Sequence, residues 1–242
     1  MMFPELLVSI NEKDKVLEIG PGSSPFYRSD VLLEISLTEE ELARQRGFTE
    51  PLVTNKEIVY FSGKEFPFKD KEFDYVICSH VLEHIEEEDI PFFISELTRV
   101  ANKGYLEFPT PYYDYLYNFD VHKTFVFFDD EVIKYSSKDN FNLKQFKPLQ
   151  DFFYRTLELG EESILLTYRG YFFQGFEWFN SVNYQRVVDL NELAHMGKTI
   201  QNRPKSTRES LKVIKKELRY ILRVKFNFKK LNILRVSNDN NR

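Results

Sequence analysis

Val16-Leu17-Glu18-Ile19-Gly20-Pro21-Gly22 carries an apolar run into two glycines, and Phe73-Asp74-Tyr75-Val76-Ile77-Cys78 carries a second one into Ser79, His80, Glu83 and His84. Residues without a Cβ let a ligand meet the backbone closely, while carboxylate, hydroxyl and imidazole groups beside them can bind it or move protons. Histidine suits proton transfer near neutrality, and the chain has four: His80, His84, His122 and His195. His80 is placed first as a catalytic base because it leaves an apolar strand where a cleft is expected. His122, in Asp120-Val121-His122-Lys123 ahead of an aromatic run, is placed second. His84 reads as a structural residue one turn into a helix, and His195 has no informative neighbours. Cys78, the single cysteine, excludes an internal disulfide and a cysteine-based zinc site. No metal-ligand set is read from the sequence.

These groups need a scaffold, and the rest of the first half supplies one. Strands are expected over 15–19, 31–35, 57–61, 73–78 and 105–108, with helices between them. Thr38 followed by Glu41 predicts a capping box opening a helix over 38–46, and Phe93, Leu97 and Val100 predict a helix over 90–100. Alternation of this kind argues for a parallel sheet covered by helices, with ligands at the carboxyl ends of the strands. The first crossover, from Gly20 to Val31, leaves room for at most one helical turn, expected at Ser24-Pro25.

Past Pro109 the character changes: 24 of the 39 aromatic residues lie between Tyr105 and Tyr184. Two hairpins are expected there, one over 125–135 turning at Asp129-Asp130, the other over 164–178 turning at Arg169-Gly170 and closing the sheet as an antiparallel edge. Pro109-Thr110-Pro111-Tyr112 reads as a rigid turn, with Tyr112 and Tyr113 lining an acceptor pocket. Between Arg203 and Arg235 the local charge is +10, so the remainder carries -15 against a net charge of -5. Leu211, Ile214, Leu218, Ile221 and Leu222 within it predict a helix over 206–224, apolar on one side and cationic on the other. Such a helix can dock on the acidic body of its own protein, lie on an anionic membrane surface or hold a polyanion.

The glycine turn admits two ligand classes. A dinucleotide fingerprint needs a third glycine where Pro25 stands and an acid about twenty residues on, whereas Glu34 arrives early, so NAD and FAD are disfavoured. The segment Glu18-Ile-Gly20-Pro-Gly22, with Ser79-His-x-Leu-Glu-His84, instead resembles the class I S-adenosylmethionine-dependent methyltransferases, of the type 11-like kind often associated with bacterial surface polysaccharide synthesis. The resemblance covers about 16–109, and more weakly 122–128. It implies S-adenosyl-L-methionine as cofactor, held by Glu18, Gly20, Pro21, Gly22, Glu34, Ser62, Gly63, Ser79 and His80. Glu34 resembles the family's ribose-binding acid, and its two oxygens can accept both diol protons. Ser62 stands where the family usually has an Asp for the adenine amino group.

The fold expected from the resemblance is α/β: a Rossmann-like, seven-stranded, mostly parallel sheet with an antiparallel edge and a shortened first crossover, bearing the aromatic-rich β elaboration and the basic C-terminal helix. The methyltransferase domain is placed at 1–184, with a cofactor-binding core over 1–109 and a substrate-side elaboration over 110–184; a helical basic extension follows over 185–242. The resemblance implies O-methylation of a saccharide or related cell-surface precursor, with His80 or His122 taking the acceptor's proton. An RNA methyltransferase is the alternative within enzymes, suggested by the basic tail. A noncatalytic methyltransferase-like subunit that docks a partner or membrane through that tail is the alternative outside them. No apolar run approaches the roughly 20 residues that span a bilayer, so a cytoplasmic protein is expected, with peripheral membrane attachment through the tail as a further option.

Overall fold

Strands buried on both faces read as unbroken apolar runs, because helices cover both sides of a parallel sheet. The computed structural model bears this out over the residues it describes: 1–36, 38, 41, 54–62, 64–159, 163–193, 211 and 215. The chain divides into two compact units, Met1–Ile200 and Gln201–Arg242, and every element below belongs to the first. In chain order these are β1 (Val16–Ile19), β2 (Val31–Ile35), β3 (Glu57–Phe61), β4 (Tyr75–Ser79), α1 (Ile90–Val100), β5 (Lys103–Pro109), α2 (Pro111–Tyr117), β6 (Thr124–Asp129) and β7 (Val132–Ser137). Then come α3 (Lys147–Glu158), α4 (Ser163–Thr167), α5 (Arg169–Phe172), β8 (Phe173–Phe179), β9 (Asn183–Arg186) and α6 (Leu190–Leu193).

The main sheet runs β3-β2-β1-β4-β5-β8, parallel except for β8, which lies antiparallel on β5 with Leu106 opposite Phe176. Ile19 of β1 pairs with Leu33 on one side and Cys78 on the other, so chain order reverses between β1 and β4. A crevice opens outside the carboxyl ends of the strands at such a reversal. Leu17, Leu33, Val76, Cys78 and Leu106 share one core with Ile90, Phe93, Ile94, Leu97 and Val100 of α1. Each such large aliphatic or aromatic side chain contributes about 1.5–3 kcal/mol on burial.

Among the described residues the main sheet has six strands, where seven were expected. The segment 164–168, expected as a strand, falls largely in the helix Ser163–Thr167, and only 173–179 joins β5. β6 and β7 form the expected hairpin, but they build a separate sheet completed by β9, which runs parallel to β7. A chain that must return from β7 to the edge of the main sheet uses three short helices to do so, which the local pattern alone does not reveal. Pro109-Thr110-Pro111-Tyr112 is the start of α2 rather than a free turn: Thr110 is extended and Pro111 opens the helix, where its missing N–H costs nothing. The first crossover contains turns and no helical turn at Ser24-Pro25.

The Thr38 capping box forms, the Glu41 carboxylate accepting from the Thr38 N–H at 2.9 Å and the Thr38 hydroxyl accepting from the Glu41 N–H at 3.3 Å. Most of that helix, Gly63, His195 and nearly all of the basic segment 206–224 lie outside the described residues. Among the described residues, no helix is long and apolar enough to cross a membrane.

One charged residue sits on the buried face of α1. Glu96 accepts from the Phe66 N–H at 2.6 Å and from the Arg99 Nε at 2.6 Å, while the Arg99 guanidinium also donates to the Phe66 and Phe68 carbonyls. This clamp fixes the segment that leads from β3 into β4. A Glu96→Ala protein leaves the buried Phe66 N–H without its acceptor and strips Arg99 of its buried carboxylate, and is expected to lose about 2–3 kcal/mol. The measurement is a urea unfolding midpoint; an unchanged midpoint would show that apolar packing alone holds the segment.

Candidate functional site

At the end of β1 the backbone must turn sharply beneath the neighbouring strand. Gly20 and Gly22 both adopt left-handed φ values, +60° and +62°, which cost side-chain-bearing residues about 1–2 kcal/mol. Gly20 donates its N–H to the Leu33 carbonyl at 2.9 Å. A Cβ at Gly20 would stand 2.6 Å from Cγ2 of Val81, whereas one at Gly22 would meet open space. The first glycine therefore lets the turn after β4 pack on the turn after β1, and the second leaves backbone open to a ligand. Buried Pro21 stiffens the link between them. Glu18 is turned inward: one oxygen accepts from the Phe26 N–H at 2.8 Å and from the Ser29 hydroxyl at 2.6 Å. Burial pushes its carboxyl above the usual range, and its bonds fold the short crossover back onto β1.

Glu34, 8% exposed, stands near the carboxyl end of β2, and exposed Ser62 follows the last residue of β3. Gly20, Gly22, Glu34, Ser62, Ser79 and His80 thus all lie at the carboxyl ends of their strands, as the spacing predicted. Gly63 lies outside the described residues.

A buried carboxylate that the sequence did not single out organises the end of β4. Glu107, on β5 beside Ser79, accepts from the Met2 N–H at 2.6 Å, the Phe3 N–H at 2.9 Å and the Tyr105 hydroxyl at 2.6 Å. It also accepts from the Ser79 hydroxyl at 2.9 Å and lies 3.0 Å from Nε2 of His80. His80 has φ +58° and donates its N–H to the Glu107 carbonyl. Its Nδ1 is 3.5 Å from Glu83. Burial alone would lower the pKa of this imidazole, but Glu107 and Glu83 outweigh it and raise the value to about 9. Burial alone would likewise raise Glu107, yet His80 and the Tyr105 hydroxyl hold it down at about 2. An imidazolium has no lone pair to take a proton, so in this geometry His80 is a donor and a positive charge rather than a base.

A second cluster forms where the chain returns at 121–124. His84 sits in a single 3-10 turn, Leu82–His84, with Nδ1 3.1 Å from the Val121 carbonyl. Only an N–H can pair with a carbonyl, so Nδ1 carries the proton and Nε2 keeps its lone pair. Burial holds His84 below the usual imidazole range, favouring the neutral form. His122 lies across from it, ring centroids 5.0 Å apart and nearly perpendicular, with Nδ1 2.8 Å from Asp114 of α2. Asp114 is 2% exposed and also accepts from Lys138 at 3.2 Å. The Lys123 N–H donates to the Glu83 carbonyl at 2.7 Å and the Thr124 hydroxyl to the Ile85 carbonyl at 2.6 Å, locking the two segments together.

Sequence reasoning paired neither His84 with His122 nor His122 with Asp114. Glu83 and His84 were visible in the Leu-Glu-His run, but the 38 positions separating His84 from His122 carry no local signal. Tyr113 stacks on Phe119 and lies against His122 and Phe173, while Phe173 meets His80 edge-on at 5.4 Å. Aromatic rings thus connect the two histidine clusters.

Residues 17–108 match a family described as a methyltransferase domain. An uncharacterized protein of Methanocaldococcus jannaschii is 30% identical over 95 residues, 38% of this chain and 42% of the relative; the chain therefore spans less than half the length of the curated relative it matches. Among solved structures, a protein of Pyrococcus horikoshii shares 23% identity over 47% of this chain and 58% of its own, with a TM-score of 0.36. A SAM-dependent methyltransferase of Methanosarcina mazei shares 21% identity over 53% and 72%, with a TM-score of 0.35. Overlaps at these scores carry no functional weight, so the sequence match over 17–108 stands by itself. The cofactor it implies is S-adenosylmethionine.

The bonds to Glu107 generate a stability prediction with a defined sign. A Glu107→Gln protein keeps one acceptor oxygen for five donors and is expected to lose about 3–5 kcal/mol. Because the folded carboxyl titrates at about 2, below its unfolded value, its contribution is complete above the usual carboxylate range. It fades as pH falls toward 2. Urea unfolding at pH 7 and pH 3 checks both parts: the gap between wild type and variant is expected to narrow at the lower pH, and a gap that widens would refute the assignment.

Proposed function

We propose that this chain is an S-adenosylmethionine-dependent methyltransferase acting on a hydroxyl of a saccharide or related cell-surface precursor. One observation carries the proposal: within the segment that matches a methyltransferase domain, the left-handed Gly20–Gly22 turn ends β1 at the point where strand order reverses. The cradle fits the cofactor, because the Gly22 backbone faces open space that a ligand can enter. The position of Glu34 near the carboxyl end of β2, one strand over, supports a role on the ribose diol, and that of Ser62 after β3 a role on the adenine side. Glu18 shapes the turn from beneath through Phe26 and Ser29. Ser79 and His80, their donors taken up by Glu107 and Glu83, wall the end of β4, where the positive imidazole favours the carboxylate of the methionine portion.

When bound, the cofactor would supply a methyl group on a sulfonium, whose carbon–sulfur electron pair would stay with sulfur while the acceptor oxygen exchanged its proton for the methyl. The chain must align acceptor and methyl and exclude water. Tyr113, Phe119 and Phe173 form an apolar wall beside His80 and His122, suited to the ring faces of a sugar. The base role expected of His80 is not open to it, because Glu107 and Glu83 hold its imidazole charged, and the acceptor's proton passes to solvent water. A cytoplasmic setting, with attachment to an anionic membrane surface through the basic segment 206–224, belongs to the same proposal.

Calorimetric titration with S-adenosylmethionine tests the reading. Micromolar binding by the wild type is expected, with Glu34→Ala weakening it about tenfold or more, as loss of charge-assisted bonds worth about 1.5–3 kcal/mol requires. Absence of binding, or equal binding by both proteins, would defeat it. Labelled methyl appearing in RNA rather than in lipid-linked saccharides would replace the acceptor class.

A further inference from the structure

We infer that Glu83, His84 and His122 form a binding site for a divalent transition-metal ion, with Nε2 of each histidine and a Glu83 carboxylate oxygen as ligands. Among the described residues, these three offer ligand atoms that all lie within 4.8 Å of one another. Bonds of about 2.0–2.2 Å place ligand atoms about 3.0–3.5 Å apart, so from 4.8 Å the cluster closes by up to about 1.3–1.8 Å through side-chain rotation when an ion binds.

Two further observations point to a cation. The first is Oε2 of Glu83: the side chain is 2% exposed and this oxygen has no hydrogen-bond partner. An unpaired buried carboxylate oxygen is costly, and a bound cation removes the cost. The second is the direction of the imidazoles. His84 is held at Nδ1 by the Val121 carbonyl and His122 at Nδ1 by the Asp114 carboxylate. Metal-ligating histidines are oriented in this way, the far nitrogen bonded to a carbonyl or carboxylate so that the near one presents its lone pair. Asp114 is itself fixed by the Lys138 ammonium and the Phe119 N–H.

Two histidines and one carboxylate suit zinc, manganese, iron(II) or cobalt over calcium or magnesium. Three protein ligands also leave coordination positions open, the pattern of a site that receives an outside ligand rather than of a closed structural one. The position suits that role: the His84 side chain is 22% exposed, and Val81, two residues before Glu83, packs on Gly20 of the glycine turn. This part of the inference rests on the methyltransferase reading. Neighbouring hydroxyls of a saccharide would occupy the open positions, and the ion would lower the pKa of the accepting hydroxyl, whose proton passes to solvent water.

The test uses the full chain, without added tag histidines and stripped with a chelator, titrated with Zn²⁺, Mn²⁺ and Co²⁺ by calorimetry. Visible Co²⁺ absorption serves as a readout independent of activity. One ion per chain is expected, with Glu83→Gln and His122→Ala weakening binding at least a hundredfold and Asp114→Asn weakening it about 10–100-fold. S-adenosylmethionine binding, measured on the same variants, reports whether each is folded. No binding by the wild type, or equal binding by wild type and His122→Ala, would overturn the site. Metal binding without cofactor binding would leave the site standing and defeat the methyltransferase reading; cofactor binding without metal would do the reverse.

Discussion

Five donors converge on one buried carboxylate. Glu107 ties together the backbone at Met2 and Phe3, the Tyr105 hydroxyl on its own strand, and the Ser79 hydroxyl and His80 imidazole at the end of β4. A carboxylate in so dry a place is tolerable only when its lone pairs are filled, and filling them fixes the geometry of everything that supplies a donor. The positions of Ser79 and His80, and hence one wall of the crevice, follow from that constraint. So does the protonation of His80, because a histidine between Glu107 and Glu83 gains more from its charge than it loses by burial.

The other wall is set by the absence of side chains. Gly20 allows Val81 to approach, which draws the turn after β4 onto the turn after β1. From there the chain passes directly into Glu83 and His84. The glycine turn and the histidine cluster are therefore mechanically coupled through a single valine. Strain and unsatisfied polarity gather on this short path: His80 has a left-handed backbone, and Glu83 keeps an unpartnered oxygen. Structures retain such costs where a ligand is to repay them.

Much of the scaffold was legible because it is local. β2, β3 and α1 appear at the residues that apolar runs and helical spacing indicated, and Thr38 and Glu41 cap one another as their spacing required. The aromatic-rich half was harder to read. Residues 164–172 are rich in β-branched and aromatic types yet form helices, because the chain there bridges from the small sheet to the edge strand β8. Propensity gave way to the demands of the connection.

The amino-acid sequence by itself determined the parallel core, the glycine turn and the placement of Glu34, Ser79 and His80 at strand ends, since each depends on neighbours a few residues away. Only the tertiary structure decided what those groups can do. It put Glu107 beside His80, making a donor of the residue best placed to be a base, and it brought His122 across from His84 and both of them within 4.8 Å of Glu83 by their ligand atoms. The physical reason is that charge state and coordination depend on what lies within a few ångströms in space, and for these residues those neighbours arrive from distant parts of the chain.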